Sequence, residues 1–289
     1  MHNIFIHKDY RLEIILTMKK YLLFSMLLLI SSVLFMSFSY SIKEELNLST
    51  NIFLFSYLPN ILPFILTINI FLKYVDLVQL SLYLKNKKLS VLFDILIIFL
   101  SLISGIPGCG LIINHLYENG IYSKEKSNKI IYHFSYISLP FIYSITSKNY
   151  TIIFLLILTS SLFYLLDNNV PNTYLKTNKK LSFDIISKTC YSLSSIYIFL
   201  SIAVILLIPF KSYKNPYIYL LLSFFETTFA SIQLINNNYL LLSIFSMTFT
   251  SFSLLYQLKK VYIHFSISKY IKKRLIASLI ITVLYFIFS

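Results

Sequence analysis

LISGIPGCGLIINHLYENGIYSKEKSNKIIYHFSYISLPF, from Leu102 to Phe141, holds all 4 glycines of the 289-residue chain: Gly105, Gly108, Gly110 and Gly120. Glycine reaches positive φ at little steric cost and lets backbones approach closely. Pro107 stands among the first three and removes a backbone donor. A chain this poor in glycine has placed its whole stock around one interruption of an apolar run. In a bilayer, irregular backbone is tolerated only where protein or a water-lined cavity satisfies it. The stretch Ser104 to Gly110 is therefore the leading candidate for a solute site. The competing reading is a tight turn between two ordinary spanning helices.

Composition sets the surroundings of that break. The chain is 57% hydrophobic and 12% charged, with a mean hydropathy of +0.75, whereas a soluble domain carries about 25% charge. This pattern predicts an all-α polytopic membrane protein. The net charge of +14 comes from 25 basic residues, and only Arg11 and Arg274 are arginine. The lysines fall mostly between apolar segments, which favours a membrane over nucleic acid as the partner. Abundant Lys, Asn, Ile, Tyr and Phe with no Trp matches the bias of an AT-rich genome. Cys109 and Cys190 show no metal spacing and no disulfide framework.

Working outward, the apolar runs predict about eight transmembrane helices, some broken or re-entrant, in two halves. Residues 1–20 read as a polar extension, 21–166 as the first membrane half, 167–187 as a polar linker and 188–289 as the second half. Tyr21 to Tyr40 reads as an anchor and Ser41 to Thr50 as a short polar loop. In Asn51 to Val75, Pro59 and Pro63 lie four apart and predict a kinked or split helix. Asp76 to Ser90 reads as a basic cytoplasmic loop. Val91 to Ser104 is short for a crossing and favours a re-entrant half-helix. Beyond the break, Gly120 reads as a helix stop, and Ser123 as an N-cap with Glu125 in the first turn. The helix that follows, to Thr146, carries His133 and bends at Pro140.

The second half contributes three more candidates. Glu226, in LLLSFFETTFASIQL, is the most deeply placed acid. A charge at the bilayer centre costs about 2.5–3.5 kcal/mol on translocon scales and is usually tolerated for a reason. Tyr239 to Gln257 is apolar but rich in hydroxyls, including Ser253, which suit a polar cavity or bonds between helices. Lys259 to Arg274 reads as a basic connector, and Leu275 to Ser289 as a last short span. The three basic linkers can share the cytoplasmic side only if the segment containing the glycine break and Tyr239–Gln257 both turn back within the membrane.

Three blocks resemble the YlbJ-type sporulation integral membrane proteins of the nucleoside-recognition (Gate) group. LPNILPFILTINIF resembles that family's proline helix at Pro59, Pro63 and Phe64. The opening stretch resembles its signature at Ser104, Gly105, Pro107, Leu116, Tyr117, Gly120, Phe134 and Pro140. Glu226 lies where the family has Glu, and FTSFSLLYQ resembles a further block at Phe249, Ser253 and Gln257. Departures fall at Tyr136 to Leu139, at Phe229 and Ala230, and at Thr250–Ser251. The resemblance implies two Gate-like halves, a multi-pass place in a bacterial cell membrane or mother-cell-derived forespore membrane, and movement of dipicolinic acid during endospore formation. Candidate partners are a homo-oligomer or other sporulation membrane proteins, between which the sequence does not choose.

The expected ligand is thus a small anionic or nucleoside-like solute. Its expected contacts are Ser104, Gly105, Pro107, Gly108, Gly110, Glu226, Ser253 and Gln257. Glu226 is a candidate to carry a coupling proton. The alternative is a scaffold or assembly factor with no solute path. No HExxH, paired acids, nucleophile–base spacing or phosphate loop is present, so neither an enzyme nor a cofactor is expected.

Overall fold

The computed structural model describes residues 25–26, 39–167, 185–208 and 215–288. The expected anchor and most of the polar linker lie outside these. Leu48–Ser289 forms one compact unit and Met1–Asn47 another; apart from the first part of the helix Ser39–Asn51, the features below belong to the former. Among the described residues every element is helical. The elements are α1 (Ser39–Asn51), a π-helical turn (Ile52–Tyr57), α2 (Leu58–Tyr74), α3 (Leu77–Asn86) and α4 (Ser90–Glu118). They continue with α5 (Lys124–Phe134), α6 (Leu139–Ile145), α7 (Tyr150–Leu166), α8 (Ile185–Leu207) and α9 (Pro216–Ser223). The last are α10 (Thr227–Asn236), α11 (Leu240–Thr248), α12 (Phe252–Val261) and α13 (Ile267–Phe288).

Several expected loops are helices. Ser41 to Thr50 lies inside α1, where Lys, Glu and Leu are good helix formers. Much of Asp76 to Ser90 is α3, started by Asp76, whose carboxylate accepts from the N–H groups of Val78 at 2.9 Å and Gln79 at 3.0 Å. The basic connector shrinks to Tyr262–Ser266, because α13 begins at Ile267 and carries Arg274 within it.

Several expected continuous helices are broken. Pro59 and Pro63 cannot donate to the preceding turn; the chain widens into the π-helical turn just before Pro59, and α2 runs on through Pro63. The helix expected to reach Thr146 stops at Phe134 and restarts at Leu139, with Pro140 in its first turn, where the missing N–H costs nothing. The stretch LLLSFFETTFASIQL breaks at Phe224–Glu226, and the segment Tyr239 to Gln257 breaks at Phe249–Ser251.

α4 is two helical segments joined at a kink, because Gly105 and Ile106 leave helical φ/ψ inside it. Taken together, its 29 residues are long and apolar enough to cross a membrane. Leu240–Val261 meets the same description across its own break. Among the described residues these two helices qualify by length and composition, or three if the bent pair Tyr40–Tyr57 and Ile61–Leu72 counts as one. α4 ends at Gly120, whose φ of 68° lets Ile121 and Tyr122 donate back to the Leu116 carbonyl at 2.9 and 3.2 Å.

α4 sits in the core between α2, α5 and α12, while α13 packs on α11, α7 and α5. The outward faces stay apolar: Val91, Ile95 and Phe99 on α4, Phe154 and Leu165 on α7, and Val283 and Phe286 on α13 are all exposed. Apolar faces of this kind, on helices already packed inward, suit lipid contact.

Candidate functional site

The glycine break is a crossing of two chain interruptions. At Gly105 the backbone takes φ 61° and ψ −164°, and Ile106 is extended. The facing segment, Ser135 to Ser138, joins α5 to α6 and lies against it. The Ile106 N–H donates to the Tyr136 carbonyl at 2.9 Å. A Cβ at Gly105 would stand 2.3 Å from the Ser138 nitrogen and 2.7 Å from its Cα. Glycine is therefore required twice over, by dihedral and by contact. Each interruption supplies backbone partners that a broken helix in lipid otherwise lacks.

The second half builds the same device from different residues. The break Phe224–Glu226 faces the break Phe249–Ser251. The N–H groups of Phe252 and Ser253 donate to the carbonyls of Phe224 and Phe225 at 2.7 and 3.1 Å. Glu226 caps α10: its carboxylate accepts from the N–H groups of Thr228 at 3.0 Å and Phe229 at 2.7 Å. Ser251 caps α12 through the Leu254 N–H at 3.3 Å. A buried carboxylate with two amide donors at a helix N-terminus is well satisfied.

The expected site residues are placed along this pair of crossings. Ser104, Gly105, Pro107 and Gly108 are buried at the first. Gly110 lies against Leu258 of α12, to whose Cδ1 an added Cβ would come within 3.0 Å. Ser253 and Gln257 are buried on the same helix, and the Gln257 amide donates to the Ser253 hydroxyl at 3.2 Å. The Gln257 Oε1 is buried without a partner. Glu226 belongs to the second crossing.

Sequence reasoning missed the side chains that tie the two crossings together. Arg274 is wholly buried. Its Nη2 donates to the Thr248 carbonyl at 2.8 Å and its Nε to the Thr250 hydroxyl at 3.4 Å, both at the second crossing. Its guanidinium carbon lies 3.3 Å from the centroid of Tyr136, at the first. One turn earlier on α13, the Tyr270 hydroxyl meets the Ser135 hydroxyl at 2.9 Å and the Thr250 hydroxyl at 3.1 Å. The Ser160 hydroxyl holds Tyr136 from α7 at 2.7 Å. The signal was in the composition: Arg274 is one of 2 arginines among 25 basic residues. Position alone had assigned it to a solvated connector.

Beside this network, His133, Phe163, Leu166, Asp167, Lys273 and Ile276 line a cleft of about 210 Å³. His133 Nε2 lies 3.0 Å from Asp167 Oδ2, which also pairs with Lys273. α5 is a polar helix rather than a span, and Asp167 caps the end of α7. Burial pushes the His133 imidazole down to about 4. Burial alone would raise Asp167, but Lys273 and His133 leave it below the usual carboxylate range. Asp94 is likewise held by Lys126 at 2.6 Å and by the Tyr122 hydroxyl at 2.7 Å. Among the described residues, no three His, Cys, Asp or Glu side chains gather as a metal set. Comparison of the chain with protein-family models, with curated proteins and with solved structures gives no match.

Proposed function

We propose that this protein is a multi-pass membrane protein that gives a small anionic solute a path across the bilayer. The observation that carries the reading is the pair of facing interruptions, Gly105–Ile106 with Ser135–Ser138 and Phe224–Glu226 with Phe249–Ser251. Discontinuous helices meeting inside a membrane are how transporters place polar backbone and helix termini around a solute. The arginine between the two crossings favours a negatively charged one. With the resemblance to the sporulation family, the solute class is a planar dicarboxylate such as dipicolinate, and the setting is the membrane around a developing spore.

Purified protein in proteoliposomes tests this. It should accumulate labelled dipicolinate, and spores lacking the chain should be depleted of it. Vesicles no leakier than protein-free controls, together with normal spore content, would reject the reading.

A second reading, a scaffold without a solute path, draws on how completely some polar groups are used in packing. The Ser231 and Ser246 hydroxyls bond across α10 and α11 at 3.0 Å, and Ser243 donates to the Ser231 carbonyl at 3.1 Å. Hydroxyls spent in this way join helices rather than line a path. Flux in proteoliposomes separates the two.

A further inference from the structure

Arg274 brings a positive charge into the protein interior without a negative one. Neither the Asp94–Lys126 pair nor the Asp167–Lys273 pair reaches Arg274. Moving a guanidinium out of water costs several kcal/mol unless a counter-charge and hydrogen bonds repay it. Two of its five N–H donors are used, by Thr248 and Thr250. Its Nη1 is buried with no hydrogen-bond partner among the described residues. Tyr136 covers one face of the planar group, which leaves the edge carrying Nη1. That edge is the one a carboxylate or similar oxyanion engages with paired, nearly parallel hydrogen bonds.

We infer that Arg274 is the anion-recognition group of this protein, and that the carboxylate or oxyanion of a water-soluble ligand completes its coordination from the Nη1 edge. The inference deepens the transport reading and rests on it only for what happens to the ligand after binding.

The surroundings support the assignment. Lys273, the chain neighbour of Arg274, lines a cleft with His133 and pairs there with Asp167. The guanidinium is also held from both crossings, by Thr248 and Thr250 on one side and Tyr136 on the other. An anion bound there touches the group that joins the two halves of the described fold.

The test is equilibrium binding of labelled pyridine-2,6-dicarboxylate to the purified full-length chain in detergent, read with the thermal midpoint. The wild type should bind the dicarboxylate and not its neutral diamide, and its midpoint should rise with ligand. Arg274→Lys keeps the charge but loses the planar edge, and should weaken binding by about tenfold or more. Arg274→Met should weaken it by about 30-fold or more. Without ligand, the midpoint of Arg274→Met should be no lower than that of the wild type, because an underpaired buried charge has been removed.

Undiminished binding by both variants would overturn the inference. So would a wild-type midpoint that ignores dicarboxylate, phosphate and sulfate, or one that responds only to phosphatidylglycerol. If Arg274→Met does not fold, Arg274→Lys decides. Binding that depends on Arg274 with no flux in proteoliposomes keeps this assignment and removes the transport reading. Full flux in Arg274→Lys does the reverse.

Discussion

Gly105 at the first crossing and Glu226 at the second tolerate change very differently. At Gly105 any Cβ meets the Ser138 backbone, which cannot swing away, and φ 61° with ψ −164° is unfavourable for an L side chain. Gly105→Ala should cost more than about 2 kcal/mol of stability, read as a large drop in thermal midpoint. Gly110→Ala meets only the end of Leu258 and should cost less than about 1 kcal/mol. Glu226→Gln keeps one acceptor oxygen and replaces the other with a donor, so one buried N–H of α10 loses its partner. That should cost about 1–3 kcal/mol. A loss of that size in the unliganded protein is the mark of a cap; unchanged stability with changed flux would mark a proton carrier instead. The glycines were legible in the sequence because their clustering needs no tertiary knowledge. Arg274 was not, because it follows directly on two lysines, Lys272 exposed and Lys273 half-buried, in a stretch that reads as basic connector.

At the scale of elements, polar pairs hold the short helices to the long ones. α5 is docked on α4 by Lys126 and Asp94, both withdrawn from water, with the ammonium 4.3 Å from the Tyr122 ring centroid. Lys126→Met leaves Asp94 with the Tyr122 hydroxyl and should destabilise by about 2–4 kcal/mol; Lys126→Met with Asp94→Leu should recover much of the loss. The far end of α5 gives a pH dependence. Folding holds His133 near pKa 4, below its ordinary 6.5. Between those values the unfolded chain binds the extra proton, so the stabilisation is present above about pH 6.5 and is lost as pH falls towards 4. The slope is at most about 1.4 kcal/mol per pH unit, and the lowered Asp167 extends the loss in the same direction at lower pH. Midpoints from pH 7 to 4 should fall more gently in His133→Asn than in the wild type. Helix ends were well marked in the sequence where a local signal existed: Ser123, Gly120 and Pro140 all mark ends or starts. The breaks at Phe224–Glu226 and Phe249–Ser251 carry no glycine or proline. Backbone bonds from a distant segment hold them open, and no local pattern announces that.

For the whole molecule, composition announced the helical, lipid-suited architecture, but counting apolar runs could not say which helices pass through. Val91–Ser104 is short by itself, and only with the run that resumes after the break at Gly105–Ile106 does α4 reach spanning length. Side-specific labelling should therefore find Ser90 and Glu118, each replaced by cysteine, on opposite faces of the membrane; both on one face would restore the re-entrant reading. The most direct test of the central claim, a solute site held inside the lipid layer at the first crossing, is cysteine accessibility at Ser138, buried against Gly105 with its hydroxyl unpartnered. In membranes carrying Ser138→Cys, with Cys109 and Cys190 replaced, a small anionic methanethiosulfonate should react slowly, and dipicolinate should slow it further. Modification at the rate of an exposed loop, or none by the anionic reagent while an apolar reagent reacts, would contradict it.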